Sequence, residues 1–366
     1  MNELYDDGVP KAIKDFVRQH PDIDVVKYHQ RGFNGEVYFG KRKKLDDEVV
    51  LKFYWADKNY DETEEAVILK RIKHKNVLEI YDLRFLPPYY AHFLTPKISG
   101  GDLQEIIDNR KLSSKEALEI VAGVLLGLTE LHSAHSLVHR DLKPGNILID
   151  LSDNRPIIAD LGAVKKIDGA HGFVSASKAT HLYLPPEAVL NNEYYFQSDI
   201  YQVGVTMFQL LGGHFPLHDP YKWLNKRELS KISIIRDEKQ KVDEFNGMIE
   251  SKIAKGTLID TKTMPYYLDE AFGRVIKKAT HIDHKKRYAN PALFLKDVHK
   301  LIQNCPDYID ENDGLVVSHE NGKCFRIIKK PIGEISFEKR MPGKDWRRSN
   351  AHNGLLSEAL AIARAK

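Results

Sequence analysis

Apolar residues recur along this chain with two periods, and the switches between them outline its elements. Ile13, Phe16 and Val17 stand at helical spacing within Lys11 to Gln19, which predicts a short helix able to pack on the domain after it. From Val25 the pattern turns to strand, and Arg31-Gly32-Phe33-Asn34-Gly35-Glu36-Val37-Tyr38 lies between two β-type runs. Val49 to Phe53 reads as a buried strand interrupted by Lys52, and Asp61 to Lys73 as a helix with Ala66, Leu69 and Ile72 on one side. Tyr89 to Lys97 is a second apolar run. Ser113 is placed to cap a helix beginning near Lys115, and Ala117 to His132 predicts a long, largely buried helix. Two short strands come next, Ile147 to Ile149 and Pro156 to Ala159. Ala163 to Leu184 lacks a period, as a surface segment does. Asp199 opens a very apolar helix, and Gly213 to Phe272 is helical and charged, notably Lys226 to Lys255. Asp307 to Gly314 is acidic and turn-rich, as in a linker. Leu315 to His319, Cys324 to Ile328 and Glu334 to Phe337 then alternate across Asn321-Gly322 and Pro331-Ile332-Gly333, predicting a small antiparallel sheet closed by a helix over Leu355 to Ala365.

Composition narrows the class. With 42% hydrophobic and 29% charged residues over 366 positions, the chain is globular rather than disordered or fibrous, with room for a large core and a tail. Two cysteines, Cys305 and Cys324, are too few for a disulfide framework. Met1 to Pro10 lacks a signal-peptide pattern, and Ala117 to Leu131 and Ile200 to Leu211 read as too short and interrupted to span a bilayer. A cytoplasmic protein without a membrane anchor is the expectation. The net charge is +3, but residues 321–366 hold 11 Lys or Arg against 4 Asp or Glu, so the basic character belongs to the tail.

The chemistry lies in His139-Arg140-Asp141-Leu142-Lys143-Pro144-Gly145-Asn146-Ile147-Leu148. Phosphoryl transfer asks a protein for positioning and charge neutralisation more than for covalent chemistry. A carboxylate (Asp141), a cation two residues on (Lys143) and an amide five residues on (Asn146) can supply a base, a positive charge beside the moving phosphate and an oxygen ligand for magnesium. This stretch resembles the catalytic loop of eukaryotic-type protein kinases, and Lys143-Pro144 looks like their serine/threonine branch.

The resemblance implies roles for other residues. Gly32 and Gly35 fall on the second and third glycines of the family's glycine-rich loop and Val37 on its valine, while Gln30 stands where the first glycine would be. Lys52 matches the lysine that holds the α and β phosphates, and Glu65 its ion-pair partner. Val50, Thr95 at the gatekeeper position, Pro96, Ile98 and Leu148 are the implied adenine-pocket residues; Pro96 keeps the carbonyl that its position uses. Asp160-Leu161-Gly162 stands at the magnesium-binding D-F-G, with leucine for phenylalanine, so Asn146 and Asp160 are the implied metal ligands. Thr180 to Glu187 resembles the substrate-docking segment, Glu187 is expected to pair with Arg287, and Asp199 to brace the catalytic loop. Arg140 is placed to receive a phosphate from Ser175 or Ser177, and Thr180 to bridge Asp141 and Lys143.

The resemblance covers roughly Val25 to Gln303. It implies an α+β, bilobal protein-kinase-like fold, with a small β-rich N-lobe and a large helical C-lobe, and after it a small C-terminal βββα module. The expected organisation is an N-terminal extension (1–24), a kinase domain (25–303), a linker (304–314) and a small basic α+β module (315–366). The implied activity is transfer of the γ-phosphate of ATP, with Mg2+, to Ser/Thr hydroxyls of protein substrates, with autophosphorylation. The alternative is an inactive kinase-fold scaffold acting through its basic module. In that module Lys329, Lys330, Lys339, Arg340, Lys344, Arg347 and Arg348 are interleaved with Phe325, Phe337 and Trp346. Such a pattern suits an acidic partner or nucleic acid, but solvated charge around aromatics packed on the large lobe is the commoner outcome.

Overall fold

The computed structural model describes residues 8–30, 35–56, 64–169, 172–176, 181–311, 314–330, 334–350 and 354–365. Gly32, Phe33, Ser177 and Thr180 lie outside them. Helix α1 (Lys11–Arg18) leads into strands β1 (Ile23–Gln30), β2 (Glu36–Arg42) and β3 (Glu48–Trp55), helix α2 (Glu64–Leu69), and strands β4 (Asp82–Leu86) and β5 (Tyr90–Pro96). The five strands form one antiparallel sheet in the order β1-β2-β3-β5-β4. Alternation along β3 sorts its two faces. Val49, Leu51 and Phe53 are buried in a cluster with Ile13 and Val17 of α1, so the N-terminal helix packs on the sheet's outer face. Val50, Lys52 and Tyr54 point the other way, and Lys52 and Tyr54 there reach Asp160 of the large lobe. Helix α2 ends four residues before Lys73; Ile72 is nonetheless buried beyond its end.

The large lobe begins with α3 (Leu103–Asn109), α4 (Ser114–Thr129), β6 (Leu137–Val138), β7 (Ile147–Asp150) and β8 (Arg155–Ile158). It continues through β9 (Lys165–Lys166), β10 (Val174–Ser175), α5 (Pro186–Asn191), β11 (Glu193–Tyr194) and α6 (Phe196–Leu210). Helices α7 (Lys226–Ser233), α8 (Glu238–Ala254), α9 (Glu270–Ala279) and α10 (Pro291–Asn304) complete it. The Ser113 hydroxyl caps α4 by accepting from the Glu116 N–H at 3.2 Å, as its sequence predicts. With a π-helical turn over Glu130–Ala134, the helix reaches 21 residues, longer than expected from its apolar run alone. By length and composition it would pass for a membrane span, yet it lies in the lobe core, 67% of the apolar window buried. The charged stretch Lys226 to Lys255 is more than a solvated face: Ile249 and Ile253 of α8 are buried in a cluster against which Leu182 and Leu184 pack.

The C-terminal module differs from expectation at its entrance. Asp307–Glu311, read as linker, is strand β12, pairing with β13 (Gly314–Ser318). Strands β14 (Cys324–Lys329), β15 (Ile335–Arg340) and β16 (Arg347–Arg348) extend the sheet to five, and α11 (Leu356–Arg364) closes the module. Tyr308, Val317, Phe325, Phe337 and Ala359 belong to the same buried cluster as the large-lobe core. The seam is also polar. Asp307 Oδ1 accepts the backbone N–H of Lys115 at 2.8 Å and the Ser114 hydroxyl at 3.2 Å, adding a carboxylate to the N-terminus of α4. Lys111 pairs with Asp310 at 2.7 Å.

Candidate active site

The loop expected to be catalytic runs between β6 and β7 and is held from beneath by Asp199 in the first turn of α6. Asp199 is fully buried. Its Oδ2 accepts the His139 N–H at 2.8 Å and lies 2.7 Å from His132 Nε2; its Oδ1 accepts the Arg140 N–H at 3.0 Å and the Tyr194 hydroxyl at 2.7 Å. Burial by itself would raise this carboxyl's pKa, but the donors around it, His132 foremost, hold it below the ordinary value. Gln202 Oε1 accepts the Leu142 N–H at 2.8 Å. The backbone on both sides of Asp141 is thus anchored, and its side chain is left to the cleft.

Asp141 Oδ2 accepts from Lys143 Nζ and from Asn146 Nδ2, each at 2.8 Å. Its Oδ1 is buried and has no hydrogen-bond partner among the described residues. An unsatisfied buried carboxylate oxygen is costly, and an incoming hydroxyl would satisfy it. Asn146 also donates to the Asp141 carbonyl at 2.7 Å, which commits its amide nitrogen and leaves its amide oxygen as an acceptor.

Across the cleft, Asp160, two residues past the end of β8, adopts a left-handed conformation, φ 59° and ψ 56°. Its Oδ1 lies 2.7 Å from Lys52 Nζ and accepts the Tyr54 hydroxyl at 3.0 Å. Burial pushes this carboxyl up; the Lys52 ammonium and the two hydrogen bonds outweigh that and hold it below the ordinary value. The expected Lys52–Glu65 pair is not formed. Glu65 lies instead 3.6 Å from Lys165, and its neighbour Glu64 pairs with Lys166. Both carboxylates sit in the first turn of α2, and β9 presents two ammonium groups to them, while Lys52 is neutralised by Asp160.

The residues expected on the adenine side lie on β2, β3, β5 and β7 and on the connection after β5. Val37 stands opposite Lys52 in the β2–β3 register, and Val50 opposite Thr95 and Val49 opposite Pro96 in β3–β5. Val37 and Thr95 are buried; Val50, Pro96, Ile98 and Leu148 are half-buried. Gly35 has φ 99°, and a Cβ there would meet the Phe53 carbonyl oxygen at 1.8 Å, so the chain can cross β3 only as glycine. Gly100 and Gly101 bond to Ile149 at 2.9 and 3.0 Å, fixing the connection between the lobes.

No group of three or more His, Cys, Asp or Glu suited to a metal occurs among the described residues. The donor set nevertheless fits magnesium, which is commonly held by one or two carboxylates together with substrate phosphates: the Asp160 carboxylate and the Asn146 amide oxygen are both hard oxygen donors.

Around this centre, Arg287 makes a bidentate bridge to Glu187 at 2.7 and 2.8 Å, both side chains buried, as expected. Arg140 does not wait for a phosphate: its Nε donates to the Ala163 carbonyl at 2.6 Å and its Nη1 to that of Ser175 at 2.8 Å, so peptide groups already tie down the segment. In the basic module, Phe325 and Phe337 stack inside the core at 5.4 Å, and Trp346 has the Arg326 and Arg340 guanidinium groups each 4.7 Å from its centroid. The aromatics are engaged in packing. Sequence reasoning missed Tyr54 at the Asp160 turn and Asp307 at the seam. Strand alternation from Lys52 could have found the first; nothing local marks the second.

A family model described as protein kinase domain matches residues 30–299. Among curated relatives, the serine/threonine-protein kinase TIO of Arabidopsis thaliana is 26% identical over 65% of this chain and 18% of its own length. The serine/threonine-protein kinase par-4 of Caenorhabditis elegans is 25% identical over 58% of this chain and 37% of its own length. The STE20-related kinase adapter protein strd-1, also of Caenorhabditis elegans, is 26% identical over 84% of this chain and 73% of its own length. The chain thus spans less than half the length of the first two.

Proposed function

Because the chain belongs to the protein kinase family, we propose that it transfers the γ-phosphate of ATP, with magnesium, to serine or threonine hydroxyls of protein substrates. The observation that carries this reading is Oδ1 of Asp141, which has no hydrogen-bond partner among the described residues while Oδ2 is bonded to Lys143 and Asn146. A substrate hydroxyl donating to Oδ1 would be oriented for in-line attack, with Asp141 taking its proton. Lys143, 2.8 Å away, stands ready to offset charge on the moving phosphate. Lys52 would exchange part of its contact with Asp160 for the phosphates, and Val37, Val50, Thr95, Pro96, Ile98 and Leu148 would enclose the base. Asp160 and Asn146 would hold the metal, which supplies neutralisation of charge on the phosphates. Glu65 is reserved for Lys52 in the working arrangement, on release of its contact with Lys165. Autophosphorylation and a cytoplasmic location belong to the same proposal; a content of only two cysteines, Cys305 and Cys324, supports a reducing compartment.

A second reading, an adaptor with the kinase fold but without turnover, is favoured by the Lys165-bound state of Glu65 and by the likeness to an adapter protein over 84% of the chain. One experiment separates them: purified protein with radiolabelled ATP, magnesium and a generic protein substrate. The kinase reading expects label on protein, lost in Asp141→Asn while nucleotide binding persists, because that carboxylate meets the acceptor rather than the ATP. Absence of label from the parent protein, or turnover surviving in Asp141→Asn, would overturn it.

A further inference from the structure

Tyr54 has no part in the roles assigned above, yet it touches the metal-binding turn at two points. It stands two residues beyond Lys52 on β3, so the pleat sets both side chains on the cleft face. Its hydroxyl donates to Asp160 Oδ1 at 3.0 Å, the same oxygen that lies 2.7 Å from Lys52 Nζ. Its ring packs on Phe93, centroids 4.9 Å apart, and lies 4.8 Å from the Lys52 ammonium. The ring also covers Gly162 so closely that a Cβ on that glycine would stand 2.5 Å from Cε1 and 2.6 Å from Cδ1. Between these two anchors, Leu161 is buried where the family pattern has a phenylalanine, so the turn carries less aromatic volume of its own. Asp160 meanwhile adopts a left-handed conformation that a side chain-bearing residue keeps only when its surroundings hold it there.

We propose that Tyr54 is a positioning residue for the metal-binding turn. Its hydroxyl fixes the rotation of the Asp160 carboxylate, and its ring, reaching in from β3, supplies the wedge that Leu161 does not. Asp160 is then presented inward before nucleotide and metal arrive, and the entropy of ordering it is not charged to metal binding. This inference rests on the kinase reading of the site.

The test uses the full chain as parent protein, Tyr54→Phe, Tyr54→Leu and the double variant Tyr54→Leu/Leu161→Phe. Mn2+ binding is measured by electron paramagnetic resonance with a non-hydrolysable ATP analogue present, beside analogue affinity without metal and the thermal midpoint. Tyr54→Phe is isosteric and should unfold close to the parent and bind the analogue alone normally. Its Mn2+ affinity should fall roughly ten-fold, the size of one hydrogen bond to a charged group. In turnover, the same variant should raise KM for the metal more than it lowers kcat. Tyr54→Leu should lose more, and adding Leu161→Phe should bring Mn2+ affinity back to the Tyr54→Phe level, since the ring returns but the hydroxyl does not. Mn2+ affinity of Tyr54→Phe within two-fold of the parent, or tighter than it, overturns the proposal; the tighter case would mean that the phenol competes with the metal. A double variant no better than Tyr54→Leu overturns the wedge. If the parent itself bound no metal–nucleotide complex, the kinase reading would fall and this inference with it. Should Tyr54→Leu fail to fold, Tyr54→Phe still decides.

Discussion

Replacing Asp199 with Asn tests whether the catalytic loop is positioned from beneath. The change preserves shape but turns one acceptor oxygen into an amide donor. If the amide takes the Oδ1 place, the Tyr194 hydroxyl can turn to accept from it, but the Arg140 N–H, now 3.0 Å from a donor, has lost its acceptor. If it takes the Oδ2 place, the His132 ring can change tautomer and accept, but the His139 N–H is the one stranded. Either way one backbone N–H is orphaned in a fully buried position, at about 1–3 kcal/mol. The three surviving bonds also lose their ionic partner, and charge-assisted bonds are roughly twice as strong as neutral ones, so the whole destabilisation should be about 2–5 kcal/mol. The residues displaced are those flanking Asp141. Because a misplacement of about 1 Å at a reacting group can lower turnover roughly 100-fold, kcat should fall by about that factor while KM for ATP changes little. Urea unfolding gives the first quantity and initial-rate kinetics the second. A loss of stability under about 1 kcal/mol together with unchanged kcat would refute the idea that Asp199 holds the loop.

Three further outcomes are expected. Arg287→Ala strands the buried Glu187 carboxylate and should destabilise the protein by about 3–5 kcal/mol, read from urea midpoints; a change below about 1 kcal/mol would mean that the bridge is not sealed from water. Asp307→Ala removes the carboxylate from the N-terminus of α4 and should cost about 1–2 kcal/mol, with cysteine-labelling or proteolysis near residue 307 rising in step; unchanged stability would detach the module from the lobe energetically. Asp160 and Asp199 are both held below the ordinary carboxyl value of 3.8, so the unfolded chain takes up protons at them before the folded one does. Their contribution is therefore complete above that value and lost as pH falls through the lower folded values. Urea titrations at successive pH values should show this acid loss reduced in Asp199→Asn, and a parent protein that gained stability on acidification below 3.8 would contradict the assignment.

Much of the site was legible without coordinates, because its signals are offsets within a few residues. Asp141, Lys143 and Asn146 share one loop, so their spacing nearly dictates that they converge, and the structure closes them into one hydrogen-bonded set. Asp199 and the Glu187–Arg287 bridge were expected only through the resemblance to the family, since 59 to 100 residues separate the partners. What pattern could not decide is which of several like-charged partners a side chain takes. Lys52 had Glu65 and Asp160 within its reach, and the way α2 sits over β9 gave Glu65 to Lys165. Strand β12 was invisible for a related reason: among Asp307–Glu311 only Tyr308 is deeply buried, so the segment has almost no alternation of its own and becomes a strand through pairing with β13. Tyr54 lay in plain view as an aromatic near the end of an apolar strand, but its hydroxyl meets a carboxylate 106 residues away. Local periodicity sets the direction in which a side chain points; only the packing of one lobe on the other sets what it meets there, since that partner is chosen by contacts summed over the whole interface.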